Sequence, residues 1–324
     1  LKAFITLKTH TMLGLGTAAL GRPQYINIRK DKNSHSDLAS FKQESFKVLE
    51  EAYQLGIRYF DTAPGYGLAE DLLLEWLQTK QDPSLQIATK WGYTYVANFD
   101  AKAKVHEVKE HSIAKLKEQW QVSKAFLPHL KIYQIHSATL ETGVLNNAEV
   151  LQQLAFLKKE HGLHIGITTT GSNQLEVLKK AIDVSVEGEP LFDGFQITYN
   201  ILDQSLESIA NTLEKQNKKI IIKEAVANGR IFRNSNYSHY TALYDALETL
   251  AAKYQVGVDA IALKFCQQNI KNSLVLSGAS TVAQLKQNLQ AAKITLSEEE
   301  INLLKSFKTD PKHYWQERKE LTWN

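Results

Sequence analysis

One repeated alternation limits what this chain can fold into more than any other feature. A short apolar or β-branched run is followed by a longer segment whose apolar residues recur every three to four positions, and this happens eight times. The runs are Leu13–Thr17, Ile57–Phe60, Gln86–Thr89, Leu130–Ile135, His164–Thr168, Phe192–Thr198, Lys219–Lys223 and Ser273–Ser277. Each has the length and apolarity of a buried parallel strand. Between them, Phe46, Leu49 and Tyr53 share one helical face, as do Val105, Val108, Leu116 and Trp120, and later Val282, Leu285 and Leu289. Such an alternation predicts the α/β class and a closed (β/α)8 TIM barrel, with an open doubly wound sheet as the rival. No Pro/Ser/Gly-rich linker interrupts it, so residues 1–324 read as a single domain.

Two additions lie outside the repeat. Ser238 to Asn269 holds two helical stretches, split near Val256 to Asp259. Ser297-Glu298-Glu299-Glu300 reads as a capping box opening an extra C-terminal helix to Phe307. A tail from Thr309 to Asn324 follows, and its Tyr314, Trp315 and Trp323 either pack against the body or wall a pocket.

Several function classes fall away. The formal net charge is +3 with signs mixed along the chain and no arginine-rich stripe, so no nucleic-acid partner is expected. The single cysteine, Cys266, excludes an internal disulfide framework and fits a reducing compartment. No run approaches the roughly 18 apolar residues of a membrane span. Leu1 to His10 has only a short apolar patch, less than a secretory signal needs. The expectation is a soluble cytoplasmic protein, monomeric or a small homo-oligomer, with no membrane partner. His106 and His111 are five apart, about 140° around a helix, so no metal site is expected there. Gly14-Leu15-Gly16 resembles the start of a dinucleotide fingerprint but lacks the third glycine and the later acidic residue. It reads instead as strand one, whose small residues let a ligand approach beside Thr17.

In a parallel barrel the chemistry sits where strands end. Strand two runs into Asp61-Thr62-Ala63-Pro64-Gly65-Tyr66-Gly67, strand three into Lys90-Trp91-Gly92, and strand four into His136-Ser137. Three successive strands thus deliver Asp61, Lys90 and His136 to one rim, and a loop adds Tyr66. Any one of these has a structural explanation. Together they make a coherent acid. A lysine ammonium about 4 Å from a phenol, at an effective dielectric near 20, is worth roughly 4 kcal/mol, enough to lower the phenol's pKa by up to about 3. A carboxylate beside the lysine keeps it charged, and the histidine can donate to a substrate oxygen. The set suits protonation of a carbonyl oxygen while another group delivers hydride. Trp91 is expected to overhang this rim as a substrate wall, with Tyr93, Tyr95 and Trp315 completing an aromatic pocket.

The run from Gly56 through Ile57-Arg58-Tyr59-Phe60-Asp61-Thr62-Ala63-Pro64-Gly65-Tyr66-Gly67 to Glu70 closely resembles the aldo-keto reductase signature. The Lys90 and His136 contexts resemble that family's later motifs, and the resemblance extends from about Leu13 to Ala292. It implies a nicotinamide-dependent oxidoreductase reducing an aldehyde or ketone, with Tyr66 as general acid, Asp61 and Lys90 tuning it, and His136 orienting the carbonyl. It also implies cofactor contacts. Thr168 and Gln196 stand where the family holds the nicotinamide amide, and Lys223 stands where many members stack a tyrosine. Gly229 and Arg230 are placed near the pyrophosphate, and Gly278, Gln284 and Asn288 near the adenosine phosphate. The last loop lacks the basic residue that often grips a 2′-phosphate; Lys286 or Arg230 could substitute. NADPH is the family default, with NADH possible. Two other readings stay open: an NAD-dependent sugar or alcohol dehydrogenase, and a non-catalytic cofactor-binding regulatory protein.

Overall fold

The eight runs form eight parallel strands that close on themselves. They are β1 (Leu13–Gly16), β2 (Tyr59–Asp61), β3 (Gln86–Trp91), β4 (Leu130–Ala138), β5 (His164–Thr169), β6 (Phe192–Thr198), β7 (Lys219–Lys223) and β8 (Leu274–Ser277). Each pairs in parallel with its sequence neighbour, and β1 closes the ring against β8 through Leu13↔Val275 and Leu15↔Ser277. This computed structural model describes residues 12–22, 28, 37–100 and 102–322. No helix among the described residues is long and apolar enough to cross a membrane.

Alternation along the strands sorts the side chains into two layers. Tyr59, Ala88, Ile132, Ile221, Leu274 and Leu276 form a small apolar plug. Every second residue onward, in register with the plug, stands above it: Asp61, Lys90, Gln134, His136, Gln196 and Lys223. The intervening positions of each strand face the larger cluster between strands and helices, where Phe60, Ile87, Trp91, Ile135 and Ile167 are fully buried. Gly166 makes room for the upper layer, because a Cβ there would lie 2.7 Å from Gln134 Cγ.

Most helical expectations hold in detail. Helices Thr241–Tyr254 and Val258–Asn269 fill the segment read as two stretches. Ser297 and Glu300 form a reciprocal capping box, opening Glu298–Lys305. One expectation fails. Val105 and Val108 do not share a helical face with Leu116 and Trp120; Val108 lies in an antiparallel hairpin, Tyr93–Tyr95 against Glu107–Lys109, and both valines are exposed. The helix begins only at Ile113, where the Ser112 side chain caps Lys115 N at 3.1 Å. The tail becomes a helix, Pro311–Glu320, capped by Asp310, with Tyr314 and Trp315 buried against the body. Trp323 lies outside the described residues.

Candidate active site

Asp61, the last residue of β2, is the hub of the upper layer. Its Oδ1 accepts from Lys90 Nζ, and its Oδ2 accepts from Gln196 Nε2 at 2.7 Å and Gln134 Nε2 at 3.2 Å. Lys90 also donates to Thr62 O at 2.9 Å, and its side chain is 0% exposed. Thr17 fixes the other end of Asp61, donating Oγ1 to its carbonyl at 3.0 Å. Directly above, Tyr66 ends the 3-10 turn Pro64–Tyr66. This turn packs so tightly on the short helix Ala18–Gly21 that follows β1 that a Cβ on Gly21 would collide with Tyr66 O, and Gly67, which ends the turn, adopts φ +63°. The turn holds the Tyr66 hydroxyl 3.4 Å from His136 Nε2, with the rings perpendicular at 5.4 Å. Lys90 Nζ lies 4.8 Å from the centre of the Tyr66 ring. The four residues expected at one rim are therefore together.

Their electrostatics differ from the expectation. Lys90 does not bring the phenol into the neutral range. Its charge is matched by the Asp61 carboxylate it touches, so Tyr66 faces an ion pair rather than a lone ammonium. Burial, and then Asp61, hold the Tyr66 hydroxyl well above the ordinary tyrosine range, against a smaller opposing effect of Arg22. Burial first, then the positive charges of Lys90, Lys223 and Arg22, hold His136 well below its usual range. The site at neutral pH is a protonated phenol facing a neutral imidazole.

The other half of the rim is already engaged. Thr168 Oγ1 accepts from Ser137 N at 2.6 Å. Lys223 Nζ donates to Thr198 Oγ1 at 2.8 Å and lies 4.0 Å from Glu224 Oε1, which Arg318 of the C-terminal helix holds at 3.2 Å. Arg230 does not face an open phosphate site. It is fully buried, bonded to Tyr314 O at 3.0 Å and to Glu317 Oε2 at 3.1 Å, and stacked 4.0 Å over Tyr314. Asn288 is buried between Ser277 Oγ and Asp259 Oδ2. Gln284 is exposed and accepts from Ser280 N at 2.9 Å. Gly229 closes the turn Ala227–Gly229, and Gly278 faces open space. Trp91 does not wall the mouth: one residue beyond Lys90, it points outward and is fully buried against His111. Tyr93 takes the wall position instead, its ring 4.7 Å from that of His136.

The family model described as Aldo/keto reductase family matches residues 12–309. The chain belongs to this family. As an aldo/keto reductase it is a nicotinamide-dependent oxidoreductase of carbonyl compounds. A Bacillus subtilis protein named as an uncharacterized oxidoreductase is 25% identical over 83% of this chain and 89% of its own length. The Escherichia coli NADH-specific methylglyoxal reductase is 23% identical over 92% and 94% of the two chains. Among solved structures, the glycerol dehydrogenase of Gluconobacter oxydans superimposes with a TM-score of 0.70 at 20% identity, covering 94% of each chain.

The residues of this aldo/keto reductase fit a nicotinamide cofactor. Gln134 Oε1 and His136 Nδ1 are among the buried polar atoms without a partner, and both stand in the upper layer, where a polar ligand could meet them. Gly278 leaves open backbone at the far end. Three neighbours of the site carry no flag in the sequence reading: Gln134, Arg22 and Lys109. Gln134 had a signal, since it lies two residues before His136 and so shares its face. Arg22 had none; it lies beyond β1 and reaches the site through Gly65 O at 2.9 Å. His111, set aside as a metal ligand, bonds His136 O through Nε2 at 2.9 Å.

Proposed function

We propose that this enzyme reduces small aldehydes or ketones, with Tyr66 as proton donor, His136 as the group orienting the carbonyl oxygen, and the Lys90–Asp61 pair fixing the phenol from below. The observation that carries the reading is the Tyr66 hydroxyl 3.4 Å from His136 Nε2, directly above that buried pair. A carbonyl oxygen lying between the two would accept from both. A bound nicotinamide would supply the hydride, and Thr168 and Gln196 would hold its amide. The alkoxide that develops is far more basic than a phenolate, so a phenol of raised pKa still delivers its proton. The same raised pKa leaves almost no phenolate at neutral pH to take a proton from an alcohol, which favours the reductase reading over the dehydrogenase one. Tyr66→Phe is expected to lower kcat by about 10²- to 10⁴-fold and leave cofactor affinity unchanged in a fluorescence titration. Wild-type turnover by that variant overturns the assignment.

For the cofactor we propose that NADH serves alongside NADPH. Arg230 is spent inside the fold, and Lys286, the one remaining candidate for a 2′-phosphate, rests against Glu51 at 2.8 Å. The NADH-specific E. coli relative is consistent with this. An NADPH preference above about 100-fold, some 2.7 kcal/mol, would contradict it.

A further inference from the structure

Lys90 at the mouth is matched by Asp61, but the remaining charges do not balance. Two carboxylates each serve two cations. Glu107 Oε2 bonds Arg22 Nη1 at 2.9 Å while its charge also acts on Lys109. Glu224 is shared between Arg318 and Lys223. Two cations are therefore in excess, and Lys109 is the one with no ion pair among the described residues, since Lys223 keeps Glu224 at 4.0 Å; the one further carboxylate acting on Lys109, Glu141, is exposed to solvent, where its field is screened.

Lys109 is also placed with care. Its Nζ donates to Ser137 O at 2.9 Å and stands 5.3 Å over the Tyr93 ring, whose own neighbour is His136 at 4.7 Å. Ser137 takes φ +52°, an uncommon conformation for serine, next to that carbonyl. Burial lowers the Lys109 pKa, so keeping this ammonium without its own carboxylate costs free energy. The ammonium stands one aromatic ring away from the imidazole that faces Tyr66.

We infer that the mouth selects carbonyl substrates bearing a carboxylate a few bonds from the reacting carbonyl, with Lys109 as its direct partner and Tyr93 as the wall along which the substrate lies. An ammonium with no carboxylate bonded to it suits a carboxylate carried by the substrate. This rests on the reading of Tyr66 and His136 as the carbonyl end.

The test compares kcat/KM for 4-formylbenzoate and its methyl ester on wild type, Lys109→Met and Lys109→Arg. Wild type is expected to prefer the acid. Lys109→Met should raise KM for the acid by about 10- to 100-fold more than for the ester, while Lys109→Arg keeps most of the preference. Added salt should raise KM for the acid alone. Benzoate, but not benzamide, should quench the protein fluorescence of the cofactor-loaded wild type, and lose this in Lys109→Met. Equal use of acid and ester by wild type, or equal slowing of both by Lys109→Met, overturns the inference. If the ester is reduced in a Tyr66-dependent way without preference for the acid, this inference alone fails. If Tyr66→Phe matches wild type on both, the catalytic reading fails. Absence of turnover with both aldehydes and of benzoate binding overturns both.

Discussion

The two halves of the barrel rim use the same chemical material to opposite ends. Strands β2 to β4 carry one buried ion pair, Lys90–Asp61, and above it a hydroxyl and an imidazole that face each other without other engagement of those two atoms. Beyond β6 and β7 lie two further pairs, Arg230–Glu317 and Arg318–Glu224, and both tie the C-terminal helix to the body. Asn200 Nδ2 to Tyr314 OH at 2.9 Å and Trp315 Nε1 to Asp203 Oδ2 at 3.1 Å complete that clamp. A charged residue at a strand end is thus free for chemistry only where no later element has claimed it. The half near β2 to β4 is organised to leave groups available; the half near β6 and β7 is organised to consume them.

The largest effect is expected where the catalytic half loses its charge balance. Lys90→Met leaves Asp61 buried with only amide donors from Gln134 and Gln196. Removing one partner of such a pair costs about 3–5 kcal/mol, and turnover should fall by at least about 100-fold even where urea titration shows the variant folded. A folded, active Lys90→Met would mean that the pair serves only to hold the fold together, as on the other side. The mirror substitution is Arg230→Met. It should cost about 3 kcal/mol by the same measurement while leaving the ratio of NADPH to NADH affinity unchanged. A loss confined to NADPH would erase the distinction between the halves.

The catalytic half was legible in the sequence because its chemistry needs residues of unlike type at consecutive strand ends, and the alternating period of two carries each inward. The same period decides Trp91: with Ala88 and Lys90 inward, position 91 faces out, and the expectation of a tryptophan at the rim overlooked that rule. Tyr93, two residues further, lies past the end of the strand in a hairpin whose valines imitate a helical spacing. Arg230 was not legible at all. Its partner Glu317 is 87 residues away on a helix that no strand–helix repeat requires, and a lone arginine after a strand carries no sign of which element will claim it.

A further contrast concerns two buried carboxylates. Glu224, in the clamp, is driven down to about 2: burial opposes this, but Arg318 and Lys223 outweigh it. Glu70, behind the catalytic half, has only hydroxyls for company, Thr89 Oγ1 at 2.5 Å and Ser123 Oγ at 3.1 Å. Burial pushes it from 4.5 up to about 7, and the two hydroxyls only partly offset this. The folded chain therefore keeps a proton that the unfolded chain releases near 4.5. Its contribution to stability is complete below that pH, is lost as pH rises through about 7, and then levels off, a total of about 3 kcal/mol. Glu70→Gln retains an oxygen for both hydroxyls and cannot ionise. In paired urea titrations it should match wild type near pH 4.5 and be the more stable form, by up to about 3 kcal/mol, near pH 8. Identical pH profiles would show that Glu70 ionises freely in the folded state.

The smallest effect tests whether a third sector of the rim, beyond β8, holds any charge in reserve. Lys286 lies on the helix Val282–Leu289 and pairs with Glu51 at 2.8 Å, with side chains 55% and 31% exposed. A pair so open to water is worth about 0.5 kcal/mol, little enough for an incoming phosphate to break. Lys286→Ala should therefore barely move the urea midpoint, and any consequence must appear in cofactor titrations. If the 2′-phosphate is not gripped here, NADH and NADPH affinities should both stay within about twofold, below 0.5 kcal/mol. A tenfold loss for NADPH alone would mean that the Glu51 pair is only a resting place. Lys286 would then be a counterpart of Lys109 beyond β8, a cation left within reach of an anionic ligand.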